Sequence, residues 1–189
     1  MIEKEQWKPG NMLYPIPAVM VSCGSPKHKP NIITIAWAGT VCSSPAMVSI
    51  SIRKERYSYH IIEESREFTI NLVTEKLVRQ ADYCGVKSGS EVDKFKEMKL
   101  TPWKGNKISA PMIAESPVNI ECIVKQIIPL GTHDMFLGEV VGVTVDKELL
   151  DEKGRFHLNQ SGLTVYSHGE YYSLGKLLGK FGYSVKKKK

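Results

Sequence analysis

Residues 51–58 (SIRKERYS) place arginines close to hydroxyls twice within eight positions, a pattern able to hold an anion. Met47 to Arg53 alternates, with Met47, Ser49, Ser51 and Arg53 on one face and Val48, Ile50 and Ile52 on the other. Ser51 and Arg53 therefore point the same way, and Arg56 and Ser58 follow at once. A planar guanidinium that never loses its charge suits a terminal phosphate when hydroxyls stand beside it. Upstream, Asn31 to Trp37 is rich in β-branched residues and reads as a strand, and Ala38 to Ser44 reads as a connection of little bulk closed by Pro45. Small side chains expose backbone N–H and C=O groups, so a flat ligand could lie against that stretch. The same residues also suit a plain hairpin with a solvated polar face.

The elements that must position these groups are mostly short strands. Ile16 to Ser22 and Asn31 to Trp37 form a hairpin through the turn-rich Ser25–Pro30, with a rather long loop. Tyr57 to Ser65 reads as a short helix whose apolar face is Tyr57, Ile61 and Ile62. Glu67 to Leu72 reads as a strand, Glu75 to Tyr83 as a helix, and Gly85 to Asp93 as a loop opening into Lys94–Phe95. Two longer strands, Val118 to Ile128 and Met135 to Val145, are joined by the tight turn Pro129 to Asp134. This order predicts a mainly β, antiparallel, barrel-like sheet with short peripheral helices, not a parallel βαβ series. In the last segment, Leu174, Leu177, Leu178 and Phe181 fall at helical spacing, although the many glycines there oppose a long helix. That segment reads as an arm packed on the barrel or on a second subunit, or else as a cover in which Tyr166 or His168 closes over a ligand.

Size and composition narrow the function. At 189 residues the chain makes one domain, here 1–185, followed by the basic tail 186–189. The net charge of +6 is mostly that tail; without Lys186 to Lys189 the chain holds 22 basic against 20 acidic residues. A near-neutral body does not argue for a nucleic-acid binder, and a lysine run is ordinarily a solvated tail. No run approaches the ~18 apolar residues of a membrane span. The opening MIEKEQWKPG lacks a basic-then-apolar layout, so a cytoplasmic location is expected. Cys23, Cys42, Cys84 and Cys122 lie far apart, which argues against a zinc site and fits a reducing compartment. Cys122 alternates with Val118, Ile120 and Val124 as a small core residue. Neither a Rossmann glycine fingerprint nor a P-loop is present.

Several stretches in order resemble the flavin reductase-like family, in particular its flavoredoxin-type branch. They are TIAWAGTVCSSPAMVSISIR (34–53), RYSY (56–59), FTINL (68–72), DYCGVKSG (82–89), VDKF (92–95), GTHDMFLGEV (131–140) and YSHGEYYSLGKLLGKFGYSV (166–185). The resemblance implies an FMN-binding split β-barrel and a homodimer with each flavin near the subunit interface. It implies isoalloxazine contacts, mostly through main chain, from Thr34, Ala36, Trp37, Thr40, Val41 and Cys42. It assigns the ribityl phosphate to Ser51, Arg53 and Ser58 with help from Lys94, and the flavin's polar side to Asn71. The family's Gly-Asp-His motif stands here as Gly131, Thr132 and His133, and His133 is implied beside the flavin face where NAD(P)H docks. Thr132 in place of Asp makes nicotinamide use a weaker implication than flavin binding.

With a flavin bound, the protein's task is orientation and electrostatics, which fits the lack of a catalytic triad or carboxylate pair. Backbone N–H groups at Thr40, Val41 and Cys42 are candidates for the N1–C2=O edge, where they would stabilise the anionic reduced ring. The expected activity is electron transfer from NAD(P)H to flavin or a downstream acceptor. Two alternatives stand beside it: an FMN carrier reduced by a redox partner protein, and a non-enzymatic barrel binding nucleic acid through its tail. Cys42 and Cys84, lacking a resolving thiol, read as packing residues. Trp37 suits either core or ligand wall.

Overall fold

In the computed structural model, which describes residues 1–185, strand and helix follow one another as short pieces. The strands are β1 (Ile16–Pro17), β2 (Val19–Ser25), β3 (His28–Ile35), β4 (Ala38–Ser43), β5 (Ala46–Ile52), β6 (Glu67–Leu72), β7 (Pro102–Trp103), β8 (Met112–Ile113), β9 (Val118–Pro129), β10 (Asp134–Val145), β11 (Thr164–Ser167) and β12 (Glu170–Ser173). The helices are α1 (Tyr57–Ser65), α2 (Val78–Val86) and α3 (Lys94–Glu97). The main sheet runs β3-β2-β6-β9-β10-β5-β4, and every neighbouring pair in it is antiparallel.

That order carries a geometric consequence. β3 and β4 lie at opposite edges of the sheet, yet only Ala36 and Trp37 separate them in sequence. The three Cα steps from Ile35 to Ala38 span at most roughly 11 Å, so the sheet must curl until its edges meet. The Ser51 N–H donates to the Trp37 carbonyl at 2.9 Å, which extends the β4–β5 ladder one residue past the Ala38–Ile50 pair, up to the point where the chain crosses from β3. The result is the expected split barrel, and its seam is where the candidate residues gather.

Alternation builds the interior. In β5, Val48, Ile50 and Ile52 are buried while Met47, Ser49 and Ser51 are half-exposed. The inward set joins Val21, Ile33, Phe68, Cys122 and Phe136 in the principal core. Phe68 and Phe136 are wholly buried, each contributing about 1.5–3 kcal/mol by burial. Phe68 and Cys122 leave no room for a side chain at 138: a Cβ on Gly138 would lie 2.6 Å from the Phe68 ring and 3.2 Å from Cys122 Cβ, beside the β9–β10 register shift. A second cluster, including Met20, Ile32, Leu77, Ala81 and Phe95, packs α2 and α3 against the outside of β2 and β3.

Four expectations change. Ala38–Ser43 is a strand, not a loose connection; it pairs with β5 at the sheet edge and shows no apolar alternation because none of its side chains is buried in the core. The β2–β3 hairpin is tighter than expected, since Ser25 already pairs with His28. α1 has the expected bounds, but its buried face is Ser58, Tyr59, Ile61 and Ile62, with Tyr57 exposed at the rim. Leu174, Leu177, Leu178 and Phe181 form no helical face; they lie exposed along the chain after β12, where Gly175, Gly179 and Gly182 disfavour a helix. Lys186–Lys189, the expected tail, falls outside the described residues.

Candidate functional site

An elongated cleft follows the barrel seam, and its chemistry changes along its length. Its centre is lined by Thr34, Ala36, Trp37, Ser51, Arg53, Arg56 and His133, with Ile33 and Ile52 beneath. At one end it narrows between Asn31, Ser58, Cys84, Lys87 and Lys94, sharing Ile33 and Arg56 with the centre. At the other it opens between Met12, Leu13, Ile16, Gly39 and Ser49, sharing Ala36, Trp37 and Ser51. Among the described residues no charged side chain lines this open end. One end is therefore uncharged and broad, the other narrow and cationic.

The cations of the centre and the narrow end come from separate elements. Arg53 follows β5 and Arg56 stands at the N-cap of α1, where the Arg56 N–H donates to the Arg53 carbonyl at 3.0 Å. Both side chains are exposed, and among the described residues Arg53 has only a long contact to Glu55, 3.5 Å. Lys94, on α3, is 4% exposed, and its ammonium donates to the carbonyls of Ile32 at 2.7 Å and Cys84 at 2.8 Å. An ammonium has three donors, so one remains for the cleft. Burial lowers the Lys94 pKa to about 8, with Arg56 pushing the same way. Ser58 is buried at the wall, its Oγ accepting from Asn31 Nδ2 at 2.7 Å. Gly89 leaves the room that Asn31 needs, because a Cβ there would meet the amide at 2.2 Å.

His133 sits on the β9–β10 turn, where the Leu130 N–H donates to the His133 carbonyl at 2.9 Å and Gly131 takes φ 93, a left-handed value that favours glycine. Its Nδ1 is 2.9 Å from Thr132 Oγ1. Partial burial lowers its pKa below the ordinary histidine value, and Arg53 and then Arg56 add to this. A neutral imidazole thus faces two guanidiniums across the cleft. Near the broad end, Tyr14 packs against Trp37 (ring centroids 6.3 Å), Tyr166 (6.2 Å) and His168 (5.8 Å). Tyr166 and His168 thus stand behind Trp37, through Tyr14.

The structure brings Thr34, Ala36, Trp37, Ser51, Arg53 and His133 to the centre and Ser58 and Lys94 to the narrow end. Thr34 offers backbone there, since its hydroxyl donates to the Ala81 carbonyl. Thr40, Val41 and Cys42 do not reach the cleft; they continue along edge strand β4, Thr40 and Val41 exposed and Cys42 half-buried. Asn71 does not reach it either. It is wholly buried, its amide donating to the Met20 carbonyl and Ser22 Oγ, both at 2.9 Å, while Oδ1 accepts from the Ile113 N–H and Asn119 Nδ2. Asn31 and Lys87 were missed as wall residues; Asn31 opens the inward run of β3 directly after Pro30, which was the available signal. Among the described residues no cluster fit for a metal ion occurs.

A family model described as "Flavin reductase like domain" matches residues 12–175. The chain belongs to this flavin reductase-like family. Within the family it falls with the flavoredoxins. It is 34% identical to the flavoredoxin of Desulfovibrio vulgaris (Miyazaki F), with a TM-score of 0.90 over 97% of this chain and 100% of that one. The flavoredoxin of Methanosarcina acetivorans is 25% identical, with a TM-score of 0.87 over 98% and 100%. A sequence relative, named ferric-chelate reductase (NAD(P)H) in Archaeoglobus fulgidus, is 27% identical over 69% of this chain and 77% of its own length. Flavin reductase-like proteins are flavin-linked oxidoreductases or electron carriers, and this chain is one of them.

Proposed function

We propose that the cleft binds FMN and that the protein is an FMN-dependent oxidoreductase accepting electrons from NAD(P)H. The observation that carries this reading is the gradient along the seam: an uncharged broad end for a flat ring system and a narrow end with Arg56, Ser58 and the spare Lys94 donor, next to Arg53 at the centre, for a phosphate. The residues present fit the cofactor at both ends. Bound there, FMN would supply hydride and single-electron chemistry.

In this reading Arg53 and Arg56 bind the phosphate bidentately or singly, and Lys94 adds a charge-assisted bond from a fixed position. The backbone of Ala36 and Trp37, with Ser49 and Ser51, lines the ring's bed. His133, neutral at pH 7, donates or accepts a hydrogen bond without carrying charge, which suits the carboxamide of a nicotinamide. Thr132 holds that imidazole through Nδ1. The ferric-chelate reductase (NAD(P)H) relative supports the nicotinamide as electron donor. The protein is further proposed to be a cytoplasmic homodimer, the exposed Leu177, Leu178 and Phe181 being the kind of apolar surface that subunits cover.

A second reading keeps FMN and makes the protein a carrier reduced by a partner protein; the high similarity to flavoredoxins and the Thr132 substitution favour it. The visible spectrum of freshly purified protein, followed by anaerobic addition of NADH, NADPH and a reduced iron–sulfur protein, separates the two. A flavin spectrum bleached by either nucleotide supports the oxidoreductase. Bleaching by the iron–sulfur protein alone supports the carrier. A colourless protein that takes up no FMN on titration defeats both.

A further inference from the structure

The cleft does not use Asp134, although this residue directly follows His133 and begins β10. Its side chain points inward on the face shared with Phe136 and is 2% exposed. One carboxylate oxygen, Oδ2, accepts from the Tyr59 hydroxyl at 2.6 Å and lies 3.4 Å from the Lys54 ammonium. The other, Oδ1, is buried with no hydrogen-bond partner among the described residues. A half-satisfied buried carboxylate is destabilising relative to an apolar residue of similar size, so stability alone does not account for an acid here. Its contacts suggest another role.

Lys54 and Tyr59 are the two ends of the segment 54–59, which contains Arg56 and Ser58 and directly follows Arg53. Asp134 also pairs with Ile52 across the β5–β10 ladder, the residue before Arg53. A single side chain, adjacent to His133, thus ties both ends of the arginine-bearing segment to the turn that carries the histidine. Tyr59 is held in place besides: its ring packs edge-on against Phe136 at 5.3 Å, and its N–H donates to the Arg56 carbonyl at 2.8 Å.

We propose that Asp134 is a positioning residue, a clamp that through Tyr59 and Lys54 sets the spacing between the Arg53–Arg56 pair and His133 and so tunes the cleft's preference for a phosphorylated flavin. This rests on the FMN reading, and it predicts where selectivity is lost. The clamp acts on the anion-binding segment and leaves the ring's bed untouched.

The test compares FMN with riboflavin binding in wild type, Asp134→Asn and Tyr59→Phe, by fluorescence titration, with thermal midpoints recorded alongside. Tyr59→Phe keeps the buried ring and tests the clamp should Asp134→Asn fold poorly. Expected is a loss of about tenfold in FMN affinity with riboflavin affinity unchanged, the size of losing one charge-assisted contact. An unchanged FMN-to-riboflavin preference in the variants, or an equal loss for both ligands, overturns the clamp whatever happens to stability. A second readout needs no flavin: the NMR titration of His133 in the apo protein, which moves upward when the guanidiniums shift away. If wild type binds neither flavin, the FMN reading fails and this titration decides alone: an upward shift in the variants retains the clamp, and an unmoved one ends it.

Discussion

Two clusters of polar side chains are buried in this barrel, and they differ in what they leave over. Beneath β6 and β9, Asn71, Ser22, Thr69, Asn119 and Glu121 bind the loop before and through β8: Ser22 Oγ donates to the Pro111 carbonyl, Thr69 Oγ1 to that of Ala110 at 3.2 Å, and Glu121 Oε1 accepts from the Lys107 N–H at 2.8 Å. Their capacity is spent on the chain itself except at Glu121 Oε2, which is enclosed without a hydrogen-bond partner among the described residues and faces no cleft. At the narrow end of the seam Lys94 keeps a donor, and Arg56 there and Arg53 at the centre stand exposed with little to bind among the described residues. Polarity and burial alone do not mark a binding site. Unspent hydrogen-bonding capacity facing a cleft does.

The largest effect that sharpens this contrast is expected at Asn71. Asn71→Ala strands the Ile113 N–H and the Asn119 amide in the interior, so denaturant unfolding should show a loss of about 3 kcal/mol. FMN affinity, measured where the variant is folded, should stay as in wild type. A variant that keeps full stability but loses FMN would move Asn71 to the site and erase the distinction between the clusters. Arg53→Ala is the mirror case: a loss of ~1.5–3 kcal/mol in FMN binding, with a thermal midpoint near wild type. It should also let the His133 titration rise, since Arg53 is one of the causes holding it down.

A smaller effect depends on pH. The Lys94 pKa of about 8 in the fold lies below its ordinary 10.5, so between those values the unfolded chain binds more protons than the folded one. This group therefore makes apo-protein stability rise as pH climbs from about 8 toward 10.5. Its contribution to phosphate binding runs the opposite way: FMN affinity relative to riboflavin should fall severalfold as the amine loses its proton, with the midpoint moved upward by the bound anion. Lys94→Met should flatten both profiles, and unchanged profiles would show that the amine is not the titrating group. His133→Ala should leave FMN bound and slow bleaching by NAD(P)H; equal rates in variant and wild type would return the residue to turn structure. Least of all is expected from Cys42→Ser, because Cys42 lies along β4 away from the cleft; altered FMN binding in this variant would bring β4 back into the site.

Much of this arrangement was legible in the residues themselves. The alternation of β5 placed Ser51 with Arg53, and the bounds of α1, β6, β9 and β10 followed closely from apolar periodicity. What failed did so for identifiable reasons. β4 is an edge strand without an inward apolar row, so Ala38–Ser43 carried no strand signal. Asn71 was assigned to the flavin only by the family resemblance, and its partners Ile113 and Asn119, more than forty residues away, left no local sign that it was already engaged. The leucines after β12 matched a helical count, but spacing says nothing about whether a surface exists for them to cover. Lys94 was named without its mechanism, since two carbonyls on other elements hold it.

The walls of the seam come from residues 10–16, 31–39, 49–58, 84–94 and 133, so no short fragment of the chain contains them. With the sheet closing on itself at Ala36–Trp37, these walls face one another only after the last long strands have paired. An unfolded chain therefore has nothing comparable to offer a ligand. Any molecule that fits this seam acts as a thermal stabiliser, by about 2.7 kcal/mol at a hundredfold excess over its dissociation constant, and melting curves become a ligand screen that requires no guess about turnover.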